Sequence, residues 1–390
     1  MYLTRLSLTN FRNYGRQTLE LAPGPVLLLG ENAQGKTNLL EAMFLLATGR
    51  SERASVDGDF IAWGVRDDPQ PFAQVGGRAM RGSGEIAVEV TIAGRAGAHG
   101  NLIASKRFKL NGVPKRASDV VGAILAVLFT TDDMELVKGA PSGRRRYLDV
   151  MLSQADHRYL RALQRYTKVV AQRNALLKRI GEGPVAAATE LAYWDEEMAR
   201  DGAAILAGRA VALRQIALHA AGAHARLSGE REALGVMYEP RFADAWTPGR
   251  IAAGDPEEIA SALLDRLQAT HARDIAAGVT LIGPHRDDFA LTLGGESAAS
   301  FASRGQQRTA ALALRLAEAR FLRDASGEQP ILLLDDVLSE LDEHRRASVL
   351  AAIEANQIFI TSPDRDRFPD DLIRDAQVWR VTAGAATRGE

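Results

Sequence analysis

Val26-Leu27-Leu28-Leu29-Gly30-Glu31-Asn32-Ala33-Gln34-Gly35-Lys36-Thr37-Asn38 is the stretch from which the rest of the chain can be placed. Four apolar residues run into G-x-x-x-x-G-K-T, with Gly30, Gly35, Lys36 and Thr37 at the fixed positions, and a helical pattern follows at once. That is the context a P-loop requires. A buried parallel strand delivers the chain to a loop whose glycines let backbone N–H groups turn inward around phosphate oxygens. The following helix aims its positive end at the same place. The loop residues Gly30, Glu31, Asn32, Ala33, Gln34 and Gly35 are thus candidate ATP contacts. Lys36 reaches the β- and γ-phosphates, and the Thr37 hydroxyl coordinates Mg²⁺.

A P-loop leaves kinases, GTPases, helicases and ATPases open, and the C-terminal third decides among them. Ile331-Leu332-Leu333-Leu334 is a second buried strand that ends in Asp335-Asp336. A carboxylate at the end of such a strand sits beside the P-loop and holds the Mg²⁺ water shell, which makes Asp335 a metal-site candidate beside Thr37. Asp336 stands where a carboxylate would orient attacking water, so Asp336 and Lys36 are the candidate catalytic residues; a helix cap is the other reading of Asp336. Ser303-x-Gly305-Gln306 opens a helix some thirty residues earlier and resembles the signature motif of ABC-type ATPases. In that family the serine, the glycine backbone and the helix N-terminus bind the γ-phosphate held by a second subunit. An ordinary Ser N-cap is the alternative for Ser303. Ser339-Glu340-Leu341-Asp342 matches the D-loop of the same family, with Asp342 as its acidic residue.

The resemblance extends over residues 10 to 342. Asn10-Phe11-Arg12-Asn13-Tyr14 precedes the P-loop, and Gly139-x-Pro141-Ser142-x-Arg144-Arg145-Arg146-Tyr147-Leu148-Asp149 follows at a distance. Gly283-Pro284-His285-Arg286-Asp287-Asp288, Ser303-Arg304-Gly305-Gln306-Gln307-Arg308 and the run from Leu334 to Asp342 complete a set that resembles the RecF family of bacterial DNA replication and repair proteins. The resemblance implies an SMC-like ATPase head without a long coiled coil, and ATP with Mg²⁺ as cofactors. It implies an ATP-dependent homodimer with two nucleotides in its interface, and slow, DNA-dependent hydrolysis. It also implies binding to single-stranded, duplex and gapped DNA, partnership with RecR and RecO in loading recombinase, and a link to the SOS response. Arg12 and Asn13, at the turn of a hairpin beside the loop, join the candidate ATP contacts. Two departures stand out. Asp336 is one methylene shorter than the Glu usual in ABC transporters, which fits weak hydrolysis. Thr361-Ser362 occupies the place of the transporters' switch histidine.

Composition is consistent with this and adds exclusions. The 390 residues suggest two or three domains, and 46% hydrophobic with 25% charged residues describes an ordinary soluble protein. Formal net charge is −1, so any binding to a polyanion must come from local patches. The absence of cysteine removes disulfides, thiolate zinc sites, iron–sulfur clusters and cysteine nucleophiles. No signal-peptide core is visible, and the longest apolar run, Val120 to Phe129, is about half a membrane span, so a cytoplasmic protein without a membrane partner is expected.

The fold class expected is α/β: an ABC-type head with a mixed sheet, interrupted by a largely helical insert. Residues 1–143 read as the first half of the head, with a hairpin before the P-loop, a helix ending near Gly49, alternating Glu85 to Ile92, and a type I′ turn at Asn111-Gly112. Residues 144–277 read as the helical insert. Residues 278–390 read as the second half of the head, where Thr280 to Leu291 has strand character at both ends and Ile358 to Thr361 is a third buried strand.

The insert opens on a run of cations, Arg144, Arg145, Arg146, Arg158, Arg161, Arg165, Lys168, Arg173, Lys178 and Arg179, against only Asp149 and Asp156. Arg144, Arg145, Arg146, Arg161, Arg165 and Lys168 are the candidate DNA contacts; a solvated helix face is the alternative, as is pairing of Arg144 to Arg146 with carboxylates. His285, Arg286, Asp287 and Asp288 read either as a metal or acid/base site or, beside Gly283-Pro284, as a turn at the head's edge, and they are left out of the catalytic candidates. Two rivals from other classes are the nucleotide subunit of a membrane transporter, which would want an apolar coupling groove and a switch histidine, and a small-molecule kinase, which needs no signature serine.

Overall fold

The computed structural model describes residues 1–96, 102–182, 188–229, 232–242, 245–341, 343–366 and 368–389. The chain opens with β1 (Tyr2–Phe11), β2 (Tyr14–Glu20), β3 (Gly24–Leu29) and α1 (Lys36–Thr48). Next come β4 (Phe72–Arg81), β5 (Gly84–Ala96), β6 (Leu102–Leu110), β7 (Val113–Lys115) and β8 (Ala126–Thr130). Helices α2 (Met134–Lys138), α3 (Pro141–Ala155), α4 (His157–Glu182) and α5 (Ala188–Ser228) follow, then β9 (Leu234–Glu239), α6 (Pro248–Ala253), α7 (Pro256–Ala269) and α8 (His271–Ala277). After β10 (Asp288–Leu293), β11 (Glu296–Ser297), α9 (Ala298–Phe301) and α10 (Arg304–Ser326) come β12 (Ile331–Asp335), α11 (Glu343–Ala352), β13 (Gln357–Ser362), α12 (Asp370–Asp375), β14 (Gln377–Thr382) and β15 (Ala385–Arg388).

Two compact units result. The first combines Met1–Asp133 with Arg315–Glu390 and contains two sheets. One is antiparallel throughout, in the order β2-β1-β4-β5-β6-β7. The other has the order β15-β14-β3-β13-β12-β8, parallel except for the edge strand β15. The single mixed sheet expected for the first 130 residues is therefore two. The physical reason lies in the strands: β1 and β5 alternate apolar and polar residues and leave one face wet, whereas Val26–Leu29 and Ala126–Phe129 are continuous apolar runs, buried on both faces as parallel strands must be. Helix α1 packs against strands of both sheets, and its residues Leu39 to Thr48 are all buried. An apolar surface on every side is what such a position requires. Gly49 closes the helix in the left-handed conformation expected of it, and Asn111-Gly112 turns β6 into β7 with positive φ at both residues.

The second unit is Met134–Leu314. Long helices α4 and α5 pack together, α7 and β9 lie on α5, and β9, β10 and β11 form a small antiparallel sheet. Composition had placed the boundaries at 144 and 277. The unit reaches further because β10 pairs with β9, which draws Asp288–Leu293 and the segment after it to the helices. At Thr280 to Leu291 only the second end is a strand: Gly283-Pro284 begins a 3₁₀ turn, and Thr280 is a buried hydrogen-bonding residue rather than part of a ladder. The last three elements, α12, β14 and β15, had no sequence expectation.

Candidate functional site

The first unit assembles the candidate phosphate-binding half. β3 ends at Leu29, α1 begins at Lys36, and the loop between them turns with positive φ at Gly30, Ala33 and Gly35. Gly35 suits this place because its φ of 117° strains any side chain, and a Cβ there would also lie 2.6 Å from Asn13 Nδ2 and 2.9 Å from the Tyr14 hydroxyl. Glu31, Asn32 and Ala33 carry exposed side chains. Asn13 is beside the loop as expected, donating from Nδ2 to the Gln34 carbonyl at 2.9 Å and accepting from Asn38 at 2.8 Å. Lys36 curls back and donates from Nζ to the carbonyls of Gly30 at 2.5 Å and Glu31 at 2.8 Å. Burial lowers its pKa from the usual lysine value, against the pull of Asp336 and Asp335.

Arg12, expected at the nucleotide, lines a cleft together with Asn13 and Asn38 and is anchored there by α1. Its Nε and Nη2 grip both oxygens of Glu41 at 2.8 and 2.6 Å, and Nη1 donates to the Asp59 carbonyl at 2.9 Å. These bonds brace α1 against the hairpin and fix the guanidinium at the edge of the cleft, where it stays partly exposed.

The carboxylate half comes from β12, which lies between β13 and β8. The Thr37 hydroxyl donates to Asp335 Oδ1 at 2.9 Å, joining residues 298 positions apart. Thr361, at the end of β13, also donates to Asp335 Oδ1 at 2.9 Å, and its oxygen accepts the Asp336 N–H at 2.9 Å. The hydroxyl that stands in the histidine's place thus ties the Asp335 carboxylate to the Asp336 backbone. Burial raises the Asp335 pKa, with the two threonine hydroxyls opposing. Asp336 adopts left-handed φ of 55° and makes no side-chain cap; its Oδ1 is buried without a hydrogen-bond partner. An orphaned acceptor beside a lysine and a carboxylate is an unusual arrangement for a core and a useful one for holding water. Asp342 lies outside the described residues.

The set fits a nucleotide with Mg²⁺. Thr37 and Asp335 offer hard oxygen donors, and among the described residues no group of three or more His, Asp or Glu gathers to hold a metal unaided. Mg²⁺ characteristically takes one or two protein oxygens and completes its shell with phosphates and water. Beside the loop opens a cleft of about 560 Å³ lined by Asn13, Asn38, Arg53, Asp59, Trp63 and Arg66 among others. Trp63 is 80% exposed with Arg66 stacked 3.8 Å from its ring centre, and Arg53 donates to Asn38 Oδ1 at 3.1 Å. These residues escaped sequence reading because a tryptophan and two arginines in a polar linker carry no spacing signal. Arg315 escaped it too: fully enclosed on α10, it donates to Asp133 at 2.7 Å, Glu318 at 3.0 Å and Glu52, next to Arg53, at 3.4 Å. Burial pushes the Glu318 carboxyl up to about 7 despite that partner.

Ser303, Gly305 and Gln306 belong to the second unit. Ser303 Oγ accepts the Gln306 N–H at 3.3 Å while Gln306 Oε1 accepts the Ser303 N–H at 2.7 Å, the reciprocal pair of a capping box. Both N-cap geometry and exposure toward solvent are therefore present at Ser303. The Gln306 amide is engaged with Glu232 of its own chain.

The candidate DNA residues divide. Arg144 clamps Asp288 through Nε and Nη2 at 2.6 and 2.8 Å, and Arg145 donates to the Asp287 carbonyl at 2.9 Å, so neither guanidinium stands free at the surface. Arg165 is half exposed but held by Asp201 through three hydrogen bonds. Arg173 is fully buried between Asp195 and Asp274, each at 2.7 Å. Arg146, Arg161 and Lys168 are exposed, and on α4 Arg158, Arg161, Arg165 and Lys168 follow one another at spacings of three and four on the solvent face. A count of cations could not tell these roles apart, because helical period alone does not show which carboxylates fold opposite.

The family model described as the RecF/RecN/SMC N terminal domain matches residues 2–378. Against the DNA replication and repair protein RecF of Roseiflexus castenholzii the chain is 42% identical, over 98% of this chain and 99% of that one. The chain belongs to the RecF family. RecF of Symbiobacterium thermophilum is likewise 42% identical, over 98% and 97% of the two chains. Solved structures of the recombination mediator protein RecF of the RecFOR pathway, one with ATPrS and one with ATP, superpose with TM-scores of 0.86 and 0.85. Each is 32% identical and covers 100% of this chain and 98% of that one. The RecF-type ABC head with its helical unit is thus the fold of this chain, and the family expectation is met. Among the described residues no helix is long and apolar enough to cross a membrane.

Proposed function

We propose that this RecF-family chain is an ATP-dependent DNA clamp of recombinational repair. It binds ATP with Mg²⁺ at the P-loop, dimerises with Ser303 and Gly305 of each copy on the nucleotide of the other, and hydrolyses slowly when DNA is bound. The observation that carries the reading is the 2.9 Å bond from Thr37 to Asp335, which sets the two Mg²⁺-type oxygens side by side next to a phosphate cradle. The ATP-bound RecF structures support the cofactor, and the RecFOR pathway to which they belong supports RecR and RecO as partners in loading recombinase on gapped DNA. Lys36 neutralises the β- and γ-phosphates and Asp336 orients water. The exposed stripe of α4, with Arg161 and Lys168 at its centre, takes the DNA backbone, and it does so without base specificity because phosphate contacts carry no sequence information.

Mass in solution with Mg²⁺ and ATP, with and without a gapped duplex, tests the reading in the parent and in Ser303→Ala. The parent is expected to dimerise only with ATP and to retain DNA, and the variant to bind ATP as a monomer. A parent that stays monomeric with ATP and DNA together would end the clamp model.

A further inference from the structure

The C-terminal hairpin of β14 and β15 has no part in the reading above, yet it touches the P-loop. β14 runs parallel to β3, pairing Gln377 with Val26 through to Arg380 with Leu29, which brings its far end level with the start of the loop. The turn at Ala383-Gly384 then lands on Gln34. The Gly384 N–H donates to the Gln34 carbonyl at 3.0 Å, and the Ala383 N–H donates to Gln34 Oε1 at 2.7 Å. Asn13 Nδ2 supplies a second donor to the same carbonyl at 2.9 Å. The hairpin is anchored behind by Gln17, whose amide exchanges two hydrogen bonds with the Ala386 backbone, at 2.8 and 2.9 Å.

A trans peptide is planar, with its C=O and N–H pointing in opposite directions. No peptide bond in the described chain is cis. Two donors hold the Gln34 carbonyl toward the hairpin and Asn13, so the Gly35 N–H of the same peptide is held facing the other way. Among the described residues that N–H has no hydrogen-bond partner. We infer that the Ala383-Gly384 turn is a positioning element of the nucleotide site, fixing the Gln34–Gly35 peptide so that the Gly35 N–H is aimed at the phosphates before they arrive. The inference rests on the reading of this loop as an ATP site. Preorganised backbone donors favour a bound anion because no further ordering is needed when it binds. Gly384 is required for the fit: its φ is 76°, and a Cβ would stand 2.1 Å from the Asn13 carbonyl oxygen and 3.0 Å from its carbon, backbone atoms that cannot swing aside.

Calorimetric titration of the full chain with ADP and, separately, with adenosine tests this in the parent, Gly384→Ala, Gln34→Met and Thr387→Ala. Gly384→Ala lifts the turn from the loop and is expected to weaken ADP binding about tenfold, the loss of one well-aimed hydrogen bond to a charged group. Adenosine, which carries no phosphate, should bind as before. Gln34→Met removes the side-chain amide, and with it the Oε1 acceptor of the Ala383 N–H, while leaving both donors on the Gln34 carbonyl; it should weaken ADP in the same direction by less, and keeps the test alive should Gly384→Ala fail to fold. Thr387→Ala, on the exposed side of the same hairpin, should change nothing. Equal ADP affinity in parent, Gly384→Ala and Gln34→Met would overturn the inference, and so would an equal loss for ADP and adenosine, which is mere loosening of the fold. A parent that does not bind ADP at all would instead overturn the ATP-site reading, and the inference with it.

Discussion

Thr361 concentrates much of the site's geometry in one hydroxyl. It donates to Asp335 and accepts from the backbone of Asp336, so the carboxylate proposed for the metal and the backbone that carries the one proposed for water share one fixed point. Thr361→Val keeps the shape and β-branching of the strand end but removes both bonds. Asp336, already in the left-handed region, is then free to drift, and displacements below an ångström are enough to slow hydrolysis. A fall in kcat of about tenfold or more is expected, with ADP affinity nearly unchanged and activity restored in Thr361→Ser. Single-turnover hydrolysis beside equilibrium ADP titration separates the two quantities. At Arg173 the stakes are structural. Its guanidinium is fully buried between Asp195 and Asp274, and removing it strands two carboxylates in a dry core. Arg173→Met should cost the second unit about 3–5 kcal/mol, read as a lowered urea midpoint at unchanged slope.

Among the elements, those whose local chemistry is self-sufficient were legible without coordinates. The P-loop, the buried strand ending in Asp335, the helix closed by Gly49 and the Asn111-Gly112 turn each announce themselves within about ten residues, because strand burial, capping and positive φ are local demands. What escaped depends on a partner distant in sequence. Arg12 reads as a nucleotide contact from its place beside the loop, but its grip on Glu41 and on the Asp59 carbonyl shows only in the fold. The hairpin at the C-terminus is short and ordinary in composition, and its relation to Gln34 exists only once β14 lies on β3. The basic run from Arg144 to Arg179 was readable as a set but not residue by residue: Arg144 and Arg173 answer carboxylates, while α4 keeps Arg158, Arg161 and Lys168 on its outer face. Replacing those three by Gln should weaken binding to single-stranded and duplex DNA alike. It should also reduce the slope of log affinity against log salt by about 2 to 3, as expected for lost phosphate contacts. Fluorescence anisotropy across a salt series checks it. An unchanged slope would put the DNA elsewhere on the molecule.

For the whole molecule, the two compact units carry buried groups that respond to pH with opposite sign. In the first, Glu318 is pushed from the usual carboxylate range up to about 7 by burial. Its folded form keeps a proton that the unfolded chain has already released, so this group's contribution to stability is greatest below about pH 4.5 and declines as pH rises toward 7. In the second, burial lowers His285 to about 4, with its ring held by the Tyr166 hydroxyl at 2.8 Å and the Thr280 carbonyl at 3.1 Å. The folded form refuses a proton that the unfolded chain accepts below about 6.5, so its contribution is intact above that value and is lost as pH falls toward 4. Going from pH 7.5 to pH 5 should therefore strengthen the first unit and weaken the second, by about 2 kcal/mol each. Scanning calorimetry of the parent and two variants separates the contributions. Glu318→Gln removes the compensating gain, so its unfolding should move to lower temperature on acidification by more than the parent's. His285→Gln removes the loss, so its unfolding should move upward relative to the parent over the same interval. If both variants track the parent between pH 5 and 7.5, neither buried group governs the response, and the surface carboxylates and remaining histidines must do so instead.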